Sequence, residues 1–210
     1  MLVQNQVGPQ VTKKSLADTS VVVARAGQLG DIIVSELHGR YYETNYRNAL
    51  FMGANTAGVT TTVGTAATYV GLCLSNPIGS PVNLSLTKVG WAAIVAFTAA
   101  ASIGLMSGYS ANVAVVHTTP ITPRASLVGA NAGYGLLDSS ATLPVTPTLT
   151  HIIGAGLTGA ITTLPSIGPV FIDMEGSIII PPGGFVAFQT STASGASGFF
   201  GSFQWEEVPI

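Results

Sequence analysis

The sequence predicts an all-β chain, a single antiparallel β-sandwich or jelly roll with an extended N-terminal arm. Three observations predict it. Apolar residues recur with period 2 in short runs along almost the whole length, Gly, Pro and Asn punctuate those runs, and no stretch shows the 3.6-residue period of a convincing amphipathic helix. Some ten short strands of this kind, each burying one face and then turning back, pack as two antiparallel layers.

Residues 1–18 are polar, carry Gly8, Pro9 and the pair Lys13 and Lys14, and read as an arm outside the core; residues 19–210 read as one domain. "TSVVVARAG" (19–27) is a β-branched run closed by glycine. "DIIVSELHG" (31–39) alternates Ile33, Ser35 and Leu37 against Ile32, Val34 and Glu36. The clearest hairpin has a strand from Thr68 to Leu74, a turn at Ser75–Pro81, and a second strand in which Leu84 and Leu86 alternate with Asn83, Ser85 and Thr87. In that turn Asn76 offers local hydrogen bonds, Pro77 and Pro81 a fixed φ, and Gly79 a permissive one. Residues 89–108 read as one or two buried strands joined by a small-residue turn, and 111–119 and 169–176 as further strands. Two apolar strands flank Pro181-Pro182-Gly183-Gly184, where Pro182 and Gly183 suit the centre of a type II turn. "SGASG" (194–198) reads as a flexible link before a closing strand at 199–208.

Charge is scarce and unevenly placed. Only 8% of residues are charged, against about 25% in an ordinary soluble domain. Nine of the sixteen lie between Lys13 and Arg47, and the 125 residues from Asn48 to Ile172 hold only Lys88, Arg124 and Asp138. A domain that must stay dispersed keeps a mixed-sign charged surface. This middle region is therefore expected to be covered by small polar residues, partner subunits or lipid. The net charge is −2 with no basic stripe, which argues against a nucleic-acid ligand. The single Cys73 lies in the apolar run "YVGLCLSN" and reads as a small buried hydrophobe. No intrachain disulfide and no cysteine-based metal site are expected, and the N-terminus lacks the apolar run of a secretory signal.

Two stretches compete with a soluble β reading. Residues 89–108 are uncharged, long enough to span a bilayer as a helix, and hold Gly104 and Gly108 in G-x-x-x-G spacing. Their apolar character is diluted by Ala, Ser, Thr and Gly, and strand-like segments flank them. Residues 151–160, "HIIGAGLTGA", place Gly154, Gly156 and Gly159 in dinucleotide-binding spacing, with Glu175 about where a ribose-binding acid would stand. A helix starting at Leu157 would be stopped by Pro165, Gly168 and Pro169, so the stretch reads as a strand end at 151–153 and then a Gly-rich loop. Its glycines are expected to serve backbone turns or close subunit approach.

No catalytic constellation emerges. His38, His117 and His151 are far apart, without metal-ligand spacing, and each reads as a satisfied structural histidine. Asp173 and Glu175 share a strand face, whereas Glu206 and Glu207 point to opposite faces; glycosidase work needs carboxylates facing each other at a defined separation. Solvated edge or strand-end charges explain both pairs. Tyr41, Tyr42, Tyr46, Phe51 and Trp205 could stack on sugars, with core or interface packing the commoner use. The sequon Asn83-Leu84-Ser85 lies within a strand and carries no weight. No catalytic, cofactor-binding or metal-binding residue is expected.

"GDIIVSELHGRYYETNYRNALFMGANTAGVTT", "GLCLSNPIGSPVNLSLTKVG", "EGSIIIPPGGFVAF" and "WEEVP" together resemble a family of β-rich structural proteins encoded in tailed-bacteriophage genomes. The likeness runs in the same order from about residue 27 to the end, leaving out the region around 98–110. It implies a jelly-roll-like capsid decoration (cement) protein, or another head or tail accessory, working without catalytic residues in the virion after assembly in the host cytoplasm. Its implied partners are copies of itself, with a trimer favoured, and the major capsid protein or other virion proteins. Lys13, Lys14, Tyr41, Tyr42 and Trp205 are the candidate inter-subunit contacts. Two other readings stay open at this point. One is a carbohydrate- or receptor-binding β-sandwich of a phage fibre or spike; the other is a small membrane protein anchored by residues 89–108.

Overall fold

The structure is a computed structural model and describes residues 39–156 and 170–210. The expected arm with Lys13 and Lys14, the strand at 19–27, all but the last residue of the run at 31–39, and Gly159 lie outside those residues. The chain divides into two compact units, Met1–Glu43 and Thr44–Ile210.

A turn closed by the Tyr42 amide donating to the Gly39 carbonyl (2.9 Å) leads into one short helix, α1 (Tyr42–Tyr46). Twelve strands follow among the described residues. They are β1 (Leu50–Ala54), β2 (Thr68–Ser75), β3 (Val82–Ala93), β4 (Ala101–Tyr109), β5 (Val116–His117) and β6 (Pro120–Ile121), then β7 (Arg124–Ala125), β8 (Leu136–Thr142), β9 (Thr148–Gly156), β10 (Val170–Ile180), β11 (Gly184–Thr190) and β12 (Phe199–Pro209). The turns after β2 and after β10 are those the local chemistry dictates, but each carries the chain from one sheet to the other. β2 pairs with β8 and β11, and β3 with β10 and β12, so the expected hairpin of residues 68–87 is instead a corner between the two layers. The Gly184 amide donates to the Pro181 carbonyl (2.8 Å) with Gly183 at φ 85°, as a type II turn requires, and Ser80 likewise bonds back to Pro77 with Gly79 at φ 77°. The strand expected at 111–119 shrinks to the two residues of β5.

One sheet has the order β10-β3-β12-β1-β7; the other runs β5-β8-β2-β11-β4-β9, with β6 also on β8. Set aside β5–β8, which interrupt the chain between β4 and β9, and eight strands remain. The first pairs with the last (β1·β12), the second with the seventh (β2·β11), the third with the sixth (β3·β10) and the fourth with the fifth (β4·β9), all antiparallel. This is one long hairpin rolled up on itself, the pairing of a jelly roll, so the predicted fold class holds.

The core between the sheets follows from period 2. On β12, Phe199, Gly201, Phe203, Trp205 and Glu207 face inward, alternating with half-buried Phe200, Ser202, Gln204 and Glu206. From the opposite sheet Phe188 stacks on Phe203 (centroids 4.8 Å) and meets Phe199 edge-on (5.4 Å). Each such ring contributes about 1.5–3 kcal/mol by burial. A second apolar cluster lies on the outer face of the other sheet, where Tyr69, Cys73, Met106, Phe185 and Ala187 pack with Ala141 and Leu143 and with half-buried Val115. The segment between β4 and β9 supplies the last three, so β11 is buried at every position.

Residues 89–108 form the end of β3, a turn and β4, as the β reading expects, and no helix among the described residues is long and apolar enough to cross a membrane. Two local expectations are corrected. The link at 194–198 is a built turn: the Gly198 amide donates to the Gly195 carbonyl, and buried Ser194 accepts from the Thr61 amide (3.0 Å) and donates to the Val59 carbonyl (3.1 Å). The glycine-rich stretch is strand as far as Gly156, because a side chain at Gly154 would overlap the Trp91 indole (2.6 Å) and one at Gly156 the Phe97 ring. These two glycines make room for aromatic packing within the chain.

Candidate functional site

Of the expected contact residues, Tyr42 is exposed and Tyr41 half-buried beside the Arg40 guanidinium, 5.4 Å from its ring centroid. Trp205 departs from the expectation. It is 0% exposed, lies 6.3 Å from Phe51, and has no surface to offer a partner. Phe51, also considered for sugar stacking, is buried with it.

Two carboxylates occupy the interior. Glu207, expected at a solvated strand end, is corrected to a buried acceptor, because the strand phase that buries Trp205 also buries the residue two positions on. It accepts from the amides of Tyr134 (2.8 and 3.0 Å) and Gly135 (2.9 Å) and from the Trp205 indole N–H (3.3 Å). Charge-assisted bonds of this kind are the stronger sort. They fix the loop before β8 onto β12. Asp138 on β8 is fully buried; its Oδ1 accepts from the amides of Thr119 (2.9 Å) and Ser140 (3.0 Å), and its Oδ2 lies 3.0 Å from Nδ1 of His117. His117 thus has a hydrogen-bond partner in Asp138 that the sequence spacing did not reveal.

A carboxylate behind an imidazole is also how a general base is oriented. No hydroxyl or thiol among the described residues is hydrogen-bonded to that imidazole. Cys73 sits directly across the ladder from Asp138. Burial pushes its thiol well above the ordinary range and the neighbouring carboxylate adds to this, so it is inert as a nucleophile. Burial likewise raises Tyr69, whose hydroxyl donates to the Leu72 carbonyl (3.2 Å).

The other acidic pair separates. Asp173 meets Lys88 at 3.4 Å in a half-exposed ion pair, while Glu175 (φ 52°) and Gly176 (φ 78°) form a bulge before pairing resumes at Ile178. His151 is exposed on β9, away from the other described histidine. No cluster of three or more His, Cys, Asp or Glu that could hold a metal occurs among the described residues.

The surface is the more informative part. Large apolar side chains stand in solvent, among them Val128 (93%), Ile210 (72%), Phe171 (70%), Ile152 (61%) and Ile179 (60%). An open groove of about 260 Å³ lies where the end of β10 faces the end of β4 over the start of β11, and no charged residue lines it. Fold and surface together define a class, a jelly-roll sandwich with two caged carboxylates in its interior and a number of large apolar side chains exposed on its surface. No protein-family model, curated protein or solved structure matches the chain.

Proposed function

We propose that the chain is a non-enzymatic virion structural protein, a capsid decoration or cement protein that stabilises a phage head through contacts with its own copies and with the major capsid protein. The observation that carries the reading is the surface: exposed large apolar side chains in a chain with 8% charge. Contiguous exposed apolar surface marks interaction sites, and Tyr109 and Ile179 line one such uncharged groove. The resemblance of the four quoted segments to phage structural proteins supplies the setting. Mass spectrometry of purified particles tests it, with copies stoichiometric to the capsid expected; particles lacking the chain would sink the proposal.

One observation favours a second reading, a carbohydrate- or receptor-binding module. Phe171, 70% exposed, lies over its cross-strand partner Gly90, beside a row Asp173, Lys88, Gln204, Met52 and Arg124 that crosses all five strands of its sheet. Strand spacing sets these groups about 4.8 Å apart. An aromatic ring flanked by polar groups suits a sugar, and a host glycan array without hits would remove this reading.

A further inference from the structure

We infer that two copies of the chain join through β10, edge to edge across a two-fold axis, with the segment Ser177–Ile180 supplying both halves of the contact. This inference rests on the proposal that the chain works as an assembly of its own copies. The starting point is how the fold treats its sheet edges. An unpaired edge invites another strand, and proteins blunt edges by shortening, bulging or charging them. On one side of the sandwich the edges end in β7 and β5, two residues each. The edges that end the sheets on the other side are long: β9 with nine residues and β10 with eleven.

Most of that length is blunted. β9 carries two irregularities, where Thr150 and Ile153 drop out of the backbone register with β4. The first half of β10 carries Asp173 and closes on the bulge at Glu175 and Gly176. The remainder, Ser177 to Ile180, carries no charge and no proline, and from Ile178 onward it pairs regularly with β3 on its inner side. It is the unguarded part of the long edges.

The groove opens beside this segment. Tyr109, Ile178, Ile179, Ile180, Pro181 and Phe185 line it, with Ile179 60% and Tyr109 56% exposed. The same few residues therefore offer a projecting apolar side chain, an apolar hollow and a strand edge that has no partner strand among the described residues. A two-fold contact demands a patch complementary to itself. A charged partner would find nothing here to pair with, whereas a second copy meets an identical uncharged edge. Pairing of the two β10 strands would join the five-stranded sheets into one, and exposed Ile78 and Ile210 at the same end of the sandwich extend the apolar area.

The test uses the full chain. Light scattering is expected to give twice the chain mass for the wild type, and Ile179→Lys to weaken the dimer at least about tenfold while the β-type circular dichroism spectrum is kept. A wild-type monomer or trimer, or a dimer indifferent to Ile179→Lys, overturns the two-fold contact. Should the variant misfold, amide exchange of the wild type decides: exchange at Ser177–Ile180 is expected to slow as concentration rises through the dimer midpoint, and exchange independent of concentration overturns the inference. Particle mass spectrometry reports on the virion proposal separately, so the two can fail independently.

Discussion

Trp205 and Glu207 stand two residues apart on the same inward face of β12, and the indole N–H of the first donates to the buried carboxylate of the second at 3.3 Å. The carboxylate shares itself with two backbone amides more than seventy residues earlier in the chain. It therefore ties the last strand to the segment inserted between β4 and β9.

Removing that acceptor leaves the Tyr134 and Gly135 amides and the indole without a partner. Glu207→Ala is expected to cost about 1–3 kcal/mol, the penalty of stranding buried donors. Glu207→Gln keeps one acceptor oxygen and should cost less. Urea unfolding followed by tryptophan fluorescence measures both, and equal midpoints for wild type and Glu207→Ala would contradict the tie.

Asp138 holds the other end of the insertion by bonding the Thr119 and Ser140 amides and His117. Asp138→Ala should destabilise by a similar margin, about 1–3 kcal/mol. Because the anchored groups are local, amide exchange should quicken first at Val116–Thr119 and Ser140. Quickening spread evenly over both sheets would speak against a local anchor.

Cys73 and Tyr69 make the chain sensitive to alkali. Both hold their protons to higher pH when folded than when exposed, because burial penalises the charged forms. Above the ordinary thiol value of 9.0 the unfolded chain binds fewer protons than the folded one. Their contribution to stability is thus full below that pH and declines as pH rises, by about 1.4 kcal/mol per unit for each group that titrates only on unfolding. Denaturation midpoints measured from pH 7 to 11 should fall above pH 9, and Cys73→Ala should delay the onset towards the tyrosine range near 10.0. A thiol reagent at pH 8 should label Cys73 only after unfolding.

Gly154 lies under Trp91, with no room for a side chain. Gly154→Val should cost about 1–3 kcal/mol by overpacking. Calorimetry would show a lowered transition temperature; an unchanged one would mean that Trp91 can move aside freely.

The legible parts were those governed by neighbours in sequence. Pro182-Gly183 and Pro77-Ile78-Gly79 specify their turns through φ alone, and the alternation of Phe199 to Glu207 was readable before any partner was known. It even contained the burial of Glu207, since Trp205 and Glu207 share a phase; a carboxylate's usual preference for water masked that signal. His117 gave no sign of Asp138, twenty-one residues away, because only the pairing of β5 and β6 with β8 brings them together.

The glycines of residues 151–160 show where local chemistry stops. Their spacing fits a phosphate loop, a turn or a strand equally well, since glycine tolerates all three. Trp91 of β3 and Phe97 of the β3–β4 turn choose among them by filling the space beside Gly154 and Gly156. Composition, periodicity and turn residues were enough to define an all-β sandwich poor in charge, because those preferences act within a few residues along the chain. Which strands lie at the edges, which carboxylates are caged and where a groove opens depended on rolling the long hairpin up, because those contacts join segments up to about 150 residues apart, as β1 and β12 are.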